Sequence, residues 1–451
     1  MLPVFEQILL HSTLNVIYSV SPGYFEIAPL SDQHNRRTEH THILFARNTT
    51  IWVMELHQVD CFKTNMWFWK YLAIWPEQNS SRWYKYYCVA FVSIMVLFYD
   101  FLFTINFYFL PSKLDIIIDD LICYFTEIAI LSKVLTFIFL RTKIDELLKV
   151  LESEMFQPGD AEGLAIITKA KKFIVTYCKT LATVSIIAHI AHVITPFLTH
   201  IIFKVELKLP ICNYSFLSDE LKQTLIYVMY FYQSAGIHYH MLYNLNIDPF
   251  FLGLIILTIS QLDILDLKLR KVTDENKDKE KMEDNLLWEQ TDKNREAILN
   301  LNKCILHFNE VCKFCELVEE VFSPTLFVQF SMASCIVCVC LFRFTLPAPT
   351  AYYIFLVTYM SAMMMEIMIP CWFGTRLMEK STHLAFSLYN CDWTPRSRQF
   401  KSNLRLFVAR ANKPLSITGG KMFCLSLSTF TSIMNSAYSY FTLLQHMKSQ
   451  E

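Results

Sequence analysis

Glycine is scarce in this chain, with only 8 glycines among 451 residues. Phosphate-binding loops and the turns of doubly wound α/β folds depend on glycine, so its scarcity argues against a nucleotide-binding enzyme. A charge excess is absent too, because 40 lysines and arginines face 41 aspartates and glutamates and leave a net charge of -1. No overall field recruits nucleic acid, and we expect no nucleic-acid partner.

Catalytic and metal-binding motifs are missing as well. The chain has no nucleophile elbow, no HExxH, no phosphate loop and no paired carboxylates with an evident substrate cleft. The pairs Cys312/Cys315 and His189/His192 each lack the further ligands that a zinc site needs. The 14 cysteines lack the short, loop-rich context of a disulfide scaffold, and we interpret most of them as reduced thiols. The sequence predicts neither an enzyme nor a cofactor or metal site.

Apolar and aromatic residues are abundant instead, at 53% and 15% of the chain, with a mean hydropathy of +0.31. A helix needs about 20 mainly apolar residues to cross a membrane. Seven stretches meet this criterion: 87–110, 114–140, 173–203, 224–265, 324–346, 352–373 and 423–446. The predicted fold class is an all-α membrane protein with seven transmembrane helices.

The distribution of basic residues predicts the orientation of these spans, because lysine and arginine collect in short cytoplasmic loops. Lys113 is the only basic residue between the first two spans and Arg343 is the only one at the link from the fifth span to the sixth, whereas 268–313 and 376–421 are rich in basic residues. This pattern predicts a cytoplasmic N-terminus, an extracellular C-terminus and one protruding helix over 224–265. The orientation is opposite to that of G-protein-coupled receptors.

The sequence also predicts how the chain is divided and where it is glycosylated. Residues 1–53 form an N-terminal extension, interpreted as a disordered tail or a gene-model artefact, and residues 54–451 contain all seven spans. The sequon at Asn213 lies between spans three and four on the predicted outer side, where it is expected to be glycosylated. The sequons at Asn48 and Asn79 lie on the predicted inner side and should remain unmodified.

Ionisable residues also lie inside the predicted spans, where such groups normally face the protein interior. Glu127, Lys133 and Lys179 are expected to form interhelical pairs or to line a water-filled cavity, and structural pairing is the favoured interpretation. His189 and His192 are three residues apart and share a helical face, so they are expected to line a polar cavity.

A more specific pattern begins at Cys371. It runs Cys371, Gly374, Glu379, Ser381, Tyr389, Trp393, Phe400, Leu404, Lys413-Pro414-Leu415, Gly419-Gly420-Lys421-Met422-Phe423, Thr429-Phe430 and Ser436-Ala437-Tyr438-Ser439-Tyr440-Phe441. In order and spacing it resembles the C-terminal signature of the insect odorant receptors. The resemblance extends more loosely over 54–451, while the N-terminal extension departs from the family pattern. The Thr-Tyr and Gln-Phe hallmark of the related gustatory receptors is absent from the last span.

The resemblance implies an odorant-gated, non-selective cation channel in the plasma membrane of olfactory sensory neurons. It implies a heterotetramer with the family's shared co-receptor, surrounded by membrane lipid, and a pocket for volatile ligands among spans two, three, four and six. It also implies a cytoplasmic anchor over 374–422 and a pore helix over 423–446. The insert between spans four and five is shorter than the co-receptor's, which indicates a ligand-tuning subunit. A gustatory-type receptor channel and a polytopic solute transporter are the alternatives.

Given that resemblance, outer-half aromatic residues and two histidines are the candidate ligand-binding residues, since volatile ligands bind mainly by shape and apolar burial. They are Tyr124, His189, His192, Tyr227, Phe231, Tyr232, Phe355 and Tyr359. In the last helix Leu443, His446 and Met447 lie at positions i, i+3 and i+4 and form one stripe. This stripe is the candidate pore constriction. Packing between helices is the alternative role for all of these residues.

Overall fold

The computed structural model describes residues 57–76, 81–111, 113–272 and 286–448. The predictions for residues 1–53 and for Asn48 and Asn79 lie outside these ranges. Within them the chain is almost entirely helical, as predicted. Side-chain caps mark several helix starts, because the first backbone N–H groups of a helix have no partner within it. For example, the Asp160 carboxylate accepts a hydrogen bond from the Gly163 N–H at 2.8 Å.

The elements follow one another along the chain with short connections. The helices are α1 Lys63–Tyr71, α2 Arg82–Val92, α3 Phe98–Tyr108, α4 Leu114–Phe139, α5 Arg141–Leu151, α6 Ala161–His189, α7 Thr195–Phe203, α8 Asp219–Lys271, α9 Leu286–Arg343, α10 Thr350–Tyr389, α11 Arg398–Ala411 and α12 Leu427–Lys448. Two π-helical turns, Ser93–Leu97 and Ile190–Ile194, connect α2 with α3 and α6 with α7. Short 3-10 turns occur at Gln58–Phe62 and Glu154–Phe156.

Six helical segments in the described ranges are long and apolar enough to cross a membrane. They are Arg82–Tyr108, Leu114–Phe139, Ala161–Phe203, Asp219–Lys271, Asn294–Arg343 and Tyr352–Tyr389. These segments contain most or all of each of the first six predicted spans. Helix α12, with 22 residues, occupies the position of the seventh span and intersperses serine, threonine and asparagine among its apolar residues. The chain is therefore a multi-pass membrane protein.

The expectation of one long helix over 224–265 is confirmed, since α8 continues without a break from Asp219 to Lys271. At a rise of about 1.5 Å per residue, its 53 residues make a rod of about 80 Å, more than twice the thickness of a membrane core of about 30 Å. Residues 250–258 are buried on every side of the helix. Helix α8 is thus a central element, against which α6 and α10 pack.

Helix α11 lies in the predicted anchor region and is amphipathic. Its residues Phe400, Leu404 and Phe407 lie at positions i, i+4 and i+7, and all three are buried. The ring of Phe407 packs 5.3 Å from that of Phe308 on α9, between centroids. The part of α9 before residue 324 therefore packs against α11.

A small β-hairpin precedes α12, so the helix begins at Leu427 and not at residue 423 as predicted. Strands β1 Thr418–Gly419 and β2 Phe423–Cys424 pair antiparallel. The apolar character of Phe423 suggested a helical start, but its ring stacks on Phe330 of α9 at 5.4 Å. At the turn, Gly420 has φ +57°, and a Cβ there would lie 2.9 Å from the Phe327 ring. Glycine fits this left-handed position without strain.

Candidate functional site

The loop over residues 204–218, between α7 and α8, covers one end of the helical bundle, which we call the loop end. The Ser215 N–H donates to Asn106 of α3 at 2.7 Å, and the Gln233 side chain of α8 donates to the Cys212 carbonyl at 2.8 Å. Burial raises the pKa of the Cys212 thiol to about 12. The loop is therefore fixed to the helices, while Asn213 within it is exposed.

Three of the candidate ligand-binding residues form a continuous line of contacts. The ring of His192, in the second π turn, stacks on Phe355 of α10 with 5.9 Å between centroids. Phe355 in turn stacks on Tyr359 at 5.9 Å. The Tyr359 hydroxyl is hydrogen-bonded to Thr126 of α4. The line connects α4, α10 and the α6/α7 junction, three of the elements expected to form the pocket.

Two other candidates pack inside the bundle but against different neighbours. The ring of Tyr124 on α4 packs against Phe103 and Phe107 of α3, with 5.6 Å and 4.8 Å between ring centroids. The Tyr232 hydroxyl of α8 donates to the Ile94 carbonyl in the first π turn at 2.8 Å. Both residues hold helices together at these positions.

The remaining candidates lie towards the surface of the chain. Tyr227 is 50% exposed and its hydroxyl is hydrogen-bonded to His200 of α7 at 3.0 Å, while Phe231 is 57% exposed and packs against Phe197 of α7. His189 contacts His238 of α8, with 5.1 Å between ring centroids. In a single chain these three residues therefore do not share the line of contacts that His192, Phe355 and Tyr359 form.

A small cavity adjoins Tyr359 between α4, α8, α9 and α10. Its lining includes Thr126 together with Ile336 and Met363, and the polar side chains of Asn244 and Gln329. Thr126 is thus shared between the cavity and the hydrogen bond to Tyr359. The cavity has a volume of about 10 Å³, which is room for about one water molecule, so a ligand would enter it only if the lining side chains moved.

Lys133 of α4 lies at the cavity and is 1% exposed. Its ammonium group contacts Asp248 of α8 at 2.8 Å and Glu366 of α10 at 3.0 Å, and it donates to the Asn244 amide oxygen at 2.9 Å. Gln329 of α9 donates to the same Glu366 carboxylate at 2.8 Å. Four helices therefore meet at one buried cation, which is the interhelical pairing expected of Lys133.

Two further polar groups join helices within the bundle. Arg343 of α9 contacts Asp119 of α4 at 2.8 Å and lies 4.5 Å from the Tyr352 ring of α10, and Tyr352 also donates to Asp119. Glu127, the second intramembrane charge expected to pair, contacts His240 of α8. Lys179, the third, is exposed on α6.

Helix α12 presents two chemically different faces. Ala437 is fully buried against Val337 and Cys338 of α9. The opposite face is exposed in a single chain and is mainly polar, with Ser428, Ser432, Asn435, Ser439, Thr442 and His446 at helical spacing. Leu443, beside this row, is 57% exposed, and Met447 follows in the last turn. Hydroxyl groups on this face donate to carbonyls of their own helix, such as Ser439 to Asn435 at 2.9 Å.

Comparison with known protein families identifies this fold. The sequence model described as "7tm Odorant receptor" matches residues 113–438, which is most of the chain. The chain belongs to the 7tm odorant receptor family. The receptor fold is likewise similar to a solved structure of the insect olfactory receptor OR5 from Machilis hrabei in complex with eugenol. That comparison has a TM-score of 0.73 at 16% identity and covers 87% of this chain and 99% of the other.

Named relatives of this receptor match over shorter regions. Odorant receptor 2a of Drosophila melanogaster is 28% identical over 221 residues, 48% of this chain and 54% of the relative. Odorant receptor 10 of Aedes albopictus is 27% identical over 154 residues, 34% of this chain and 41% of the relative. The match thus spans about half the length of these relatives or less.

Sequence reasoning missed most of the residues that the receptor brings together at its polar contacts. Asp248 and Glu366 carried no signal beyond being charges in apolar runs, and Asn244 and Gln329 carried none. The signal that existed was the rarity of ionisable groups inside a span. An ionisable residue inside a span is therefore predicted to have a partner, but the sequence does not show which residue that partner is.

Proposed function

We propose that this chain is an odorant-binding, ligand-tuning subunit of a cation channel in the plasma membrane of olfactory sensory neurons. In this proposal it assembles with the family's shared co-receptor in a heterotetramer, with its N-terminus in the cytoplasm and Asn213 glycosylated outside. The observation that carries the channel function is the exposed polar face of α12 in a chain of the odorant receptor family. Polar groups on a membrane helix need a protein or water environment.

The pore proposal follows from the two faces of α12. Its apolar face packs on α9, so its polar row is available to face an aqueous pathway between subunits. Leu443, His446 and Met447 near its end would form the narrow part of that pathway. A ring of apolar side chains can close a pore by excluding water, and small shifts of the helices can then reopen it.

The ligand proposal centres on the line from His192 through Phe355 to Tyr359, next to the cavity at Thr126. These rings offer apolar area and two hydrogen-bonding groups, which suits a small volatile molecule. Burial contributes about 25 cal/mol per Å² of apolar surface removed from water. Tyr124, His189, Tyr227, Phe231 and Tyr232 remain proposed ligand contacts, as residues that flank this centre.

The deciding experiment is whole-cell current recording against a broad panel of volatiles, with and without the shared co-receptor. We expect an inward cation current that requires both chains and is insensitive to G-protein blockade. Tyr359→Phe should change the half-maximal concentration of active ligands by about 5-fold or more, the usual loss for a hydrogen bond worth about 1 kcal/mol. The matched control is Phe101→Ala, because Phe101 is 56% exposed on α3, away from this line.

Silence across the panel, despite surface expression of both chains, would contradict the channel function. A normal current with an unchanged ligand profile in Tyr359→Phe would instead contradict only the proposed centre of the pocket. An equal shift in Phe101→Ala would show that the effect is not specific to the line of rings.

A further inference from the structure

Three ionisable side chains from three helices meet inside the bundle: Asp100 of α3, Glu127 of α4 and His240 of α8. One ligand-type atom from each lies within 4.8 Å of the other two. Glu127 is 6% exposed and His240 is 2% exposed. Each of these groups is costly to bury in its charged form unless another charge or hydrogen bond compensates it.

The hydrogen bonds of His240 constrain where its proton lies. Its Nε2 atom is 3.0 Å from the Met95 carbonyl oxygen, which can only accept, so Nε2 carries the hydrogen. Its Nδ1 atom contacts a carboxylate oxygen of Glu127. A neutral ring with its hydrogen on Nε2 would direct the Nδ1 lone pair at that negative oxygen. A proton, carried by His240 or by Glu127, or a metal ion must therefore lie between Nδ1 and that oxygen.

Asp100 distinguishes these two possibilities. Both of its carboxylate oxygens are inaccessible to solvent, and neither has a hydrogen-bond partner among the residues that the structure describes. A proton at that position leaves the Asp100 carboxylate uncompensated, and a protonated Asp100 would still bury an O–H donor with no acceptor among the described residues. A divalent ion neutralises both carboxylates while His240 stays neutral, with its Nδ1 lone pair available as a ligand.

The surrounding backbone is built to hold His240 in this orientation. The π turn Ser93–Leu97 directs the Met95 carbonyl towards α8. Such turns are rare, and they occur frequently at functional sites. On α8, Gly236 lies one turn before His240, and a Cβ there would be 2.1 Å from the Tyr99 ring. This close approach lets Tyr99 pack edge-on against the His240 ring at 4.9 Å.

We propose that Asp100, Glu127 and His240 form a binding site for a divalent transition-metal ion, with Zn²⁺ as the matching chemistry. One imidazole nitrogen and two carboxylate oxygens are a ligand set that Zn²⁺ accepts, with bonds of about 2.0–2.2 Å. The second nitrogen of a metal-bound histidine characteristically donates to a backbone carbonyl or a carboxylate, as Nε2 does to Met95. The bound ion links α3, α4 and α8 beside the proposed ligand pocket.

The test uses the purified full chain in detergent, stripped with a chelator, equilibrated with ZnCl₂ and then desalted. Metal content is measured by mass spectrometry. We expect about one Zn²⁺ per chain, as for a site with a single set of ligands, and a fall to background in Asp100→Asn and in His240→Ala. His238→Ala is the matched control, because His238 faces His189 and lies outside the cluster.

Asp100→Asn preserves the size of the side chain, so it reports on the site even where His240→Ala fails to fold. Zinc content at background in the wild-type chain would overturn the proposal. Equal zinc content in the wild type and Asp100→Asn would also overturn it, because the ion would then be bound elsewhere. Zinc binding is measured without recording any current. The metal-site proposal can therefore fail while the channel function stands, and the channel function can fail while the metal site stands.

Discussion

Lys133 shows how one residue can determine the arrangement of several helices. The sequence marked it as an intramembrane charge that needed a partner. The structure surrounds it with Asp248, Glu366 and Asn244, and two carboxylates therefore depend on one ammonium group. Removing one member of a buried ion pair costs more free energy than the intact pair contributes to stability, because the remaining charge is left uncompensated. Lys133 is accordingly a residue whose loss should be more damaging than that of an exposed lysine.

We predict that Lys133→Met destabilises the receptor by about 3–5 kcal/mol, because two partly buried carboxylates lose the fully buried ammonium group that compensates them. The matched control is Lys149→Met, which removes a pair of similar length, 2.7 Å to Asp145, whose lysine is 75% exposed. Exposed pairs contribute about 0–1 kcal/mol, so this variant should behave like the wild type. Denaturation of both variants in detergent, followed by fluorescence, measures the difference. Equal losses in the two variants would contradict the proposed role of burial.

At the scale of elements, the position of α12 could be predicted from the local sequence, whereas the hairpin before it depends on contacts with distant residues. The position of the last span was predictable from its apolar residues, but the strand at Phe423–Cys424 was not. Its Phe423 ring is held by Phe330, which lies 93 positions earlier in the chain. Similarly, the spacing of Leu443 and His446 along the chain predicts that they share one stripe of the helix. The contact of Ala437 with α9 then revealed which face of the helix is covered.

We predict that Ser439→Cys and Leu443→Cys make odorant-evoked current sensitive to a thiol reagent applied from outside. Both positions are exposed on α12, so in the proposed channel the reagent would add bulk inside the pore. Ala437→Cys is the control, because Ala437 is fully buried against α9 and should be protected. Wild-type channels given the same reagent correct for the native cysteines. Unchanged conductance at both exposed positions would remove α12 from the pore.

At the scale of the whole molecule, the orientation in the membrane follows from charge and not from packing. Neither helix contacts nor burial distinguishes the two sides of a membrane, whereas basic residues do. The loop end is joined tightly to α3 and α8, yet Asn213 within it is exposed and available to a glycosylating enzyme. Asn213 therefore reports which side the loop end faces.

We predict a glycan on Asn213 and none on Asn48 or Asn79 when the receptor is expressed in insect cells. Glycosidase treatment should lower the mass of the wild type and leave Asn213→Gln unchanged. The substitution should scarcely affect stability, since exposed polar positions usually tolerate such changes within about 0.5 kcal/mol. A glycan found on Asn48 or Asn79 instead would reverse the proposed topology.

The sequence by itself determined the fold class, the approximate positions of the six apolar spans in the described residues, the single long α8 and the family signature from Cys371 onwards. Each of these depends on residues that are close along the chain, where apolar length and spacing are sufficient. Tertiary structure decided which charges meet, as with Lys133 and Glu366, 233 positions apart. It also decided which candidate rings touch and which face of α12 stays open. Periodicity defines the face of a helix, but only packing selects the neighbour of that face.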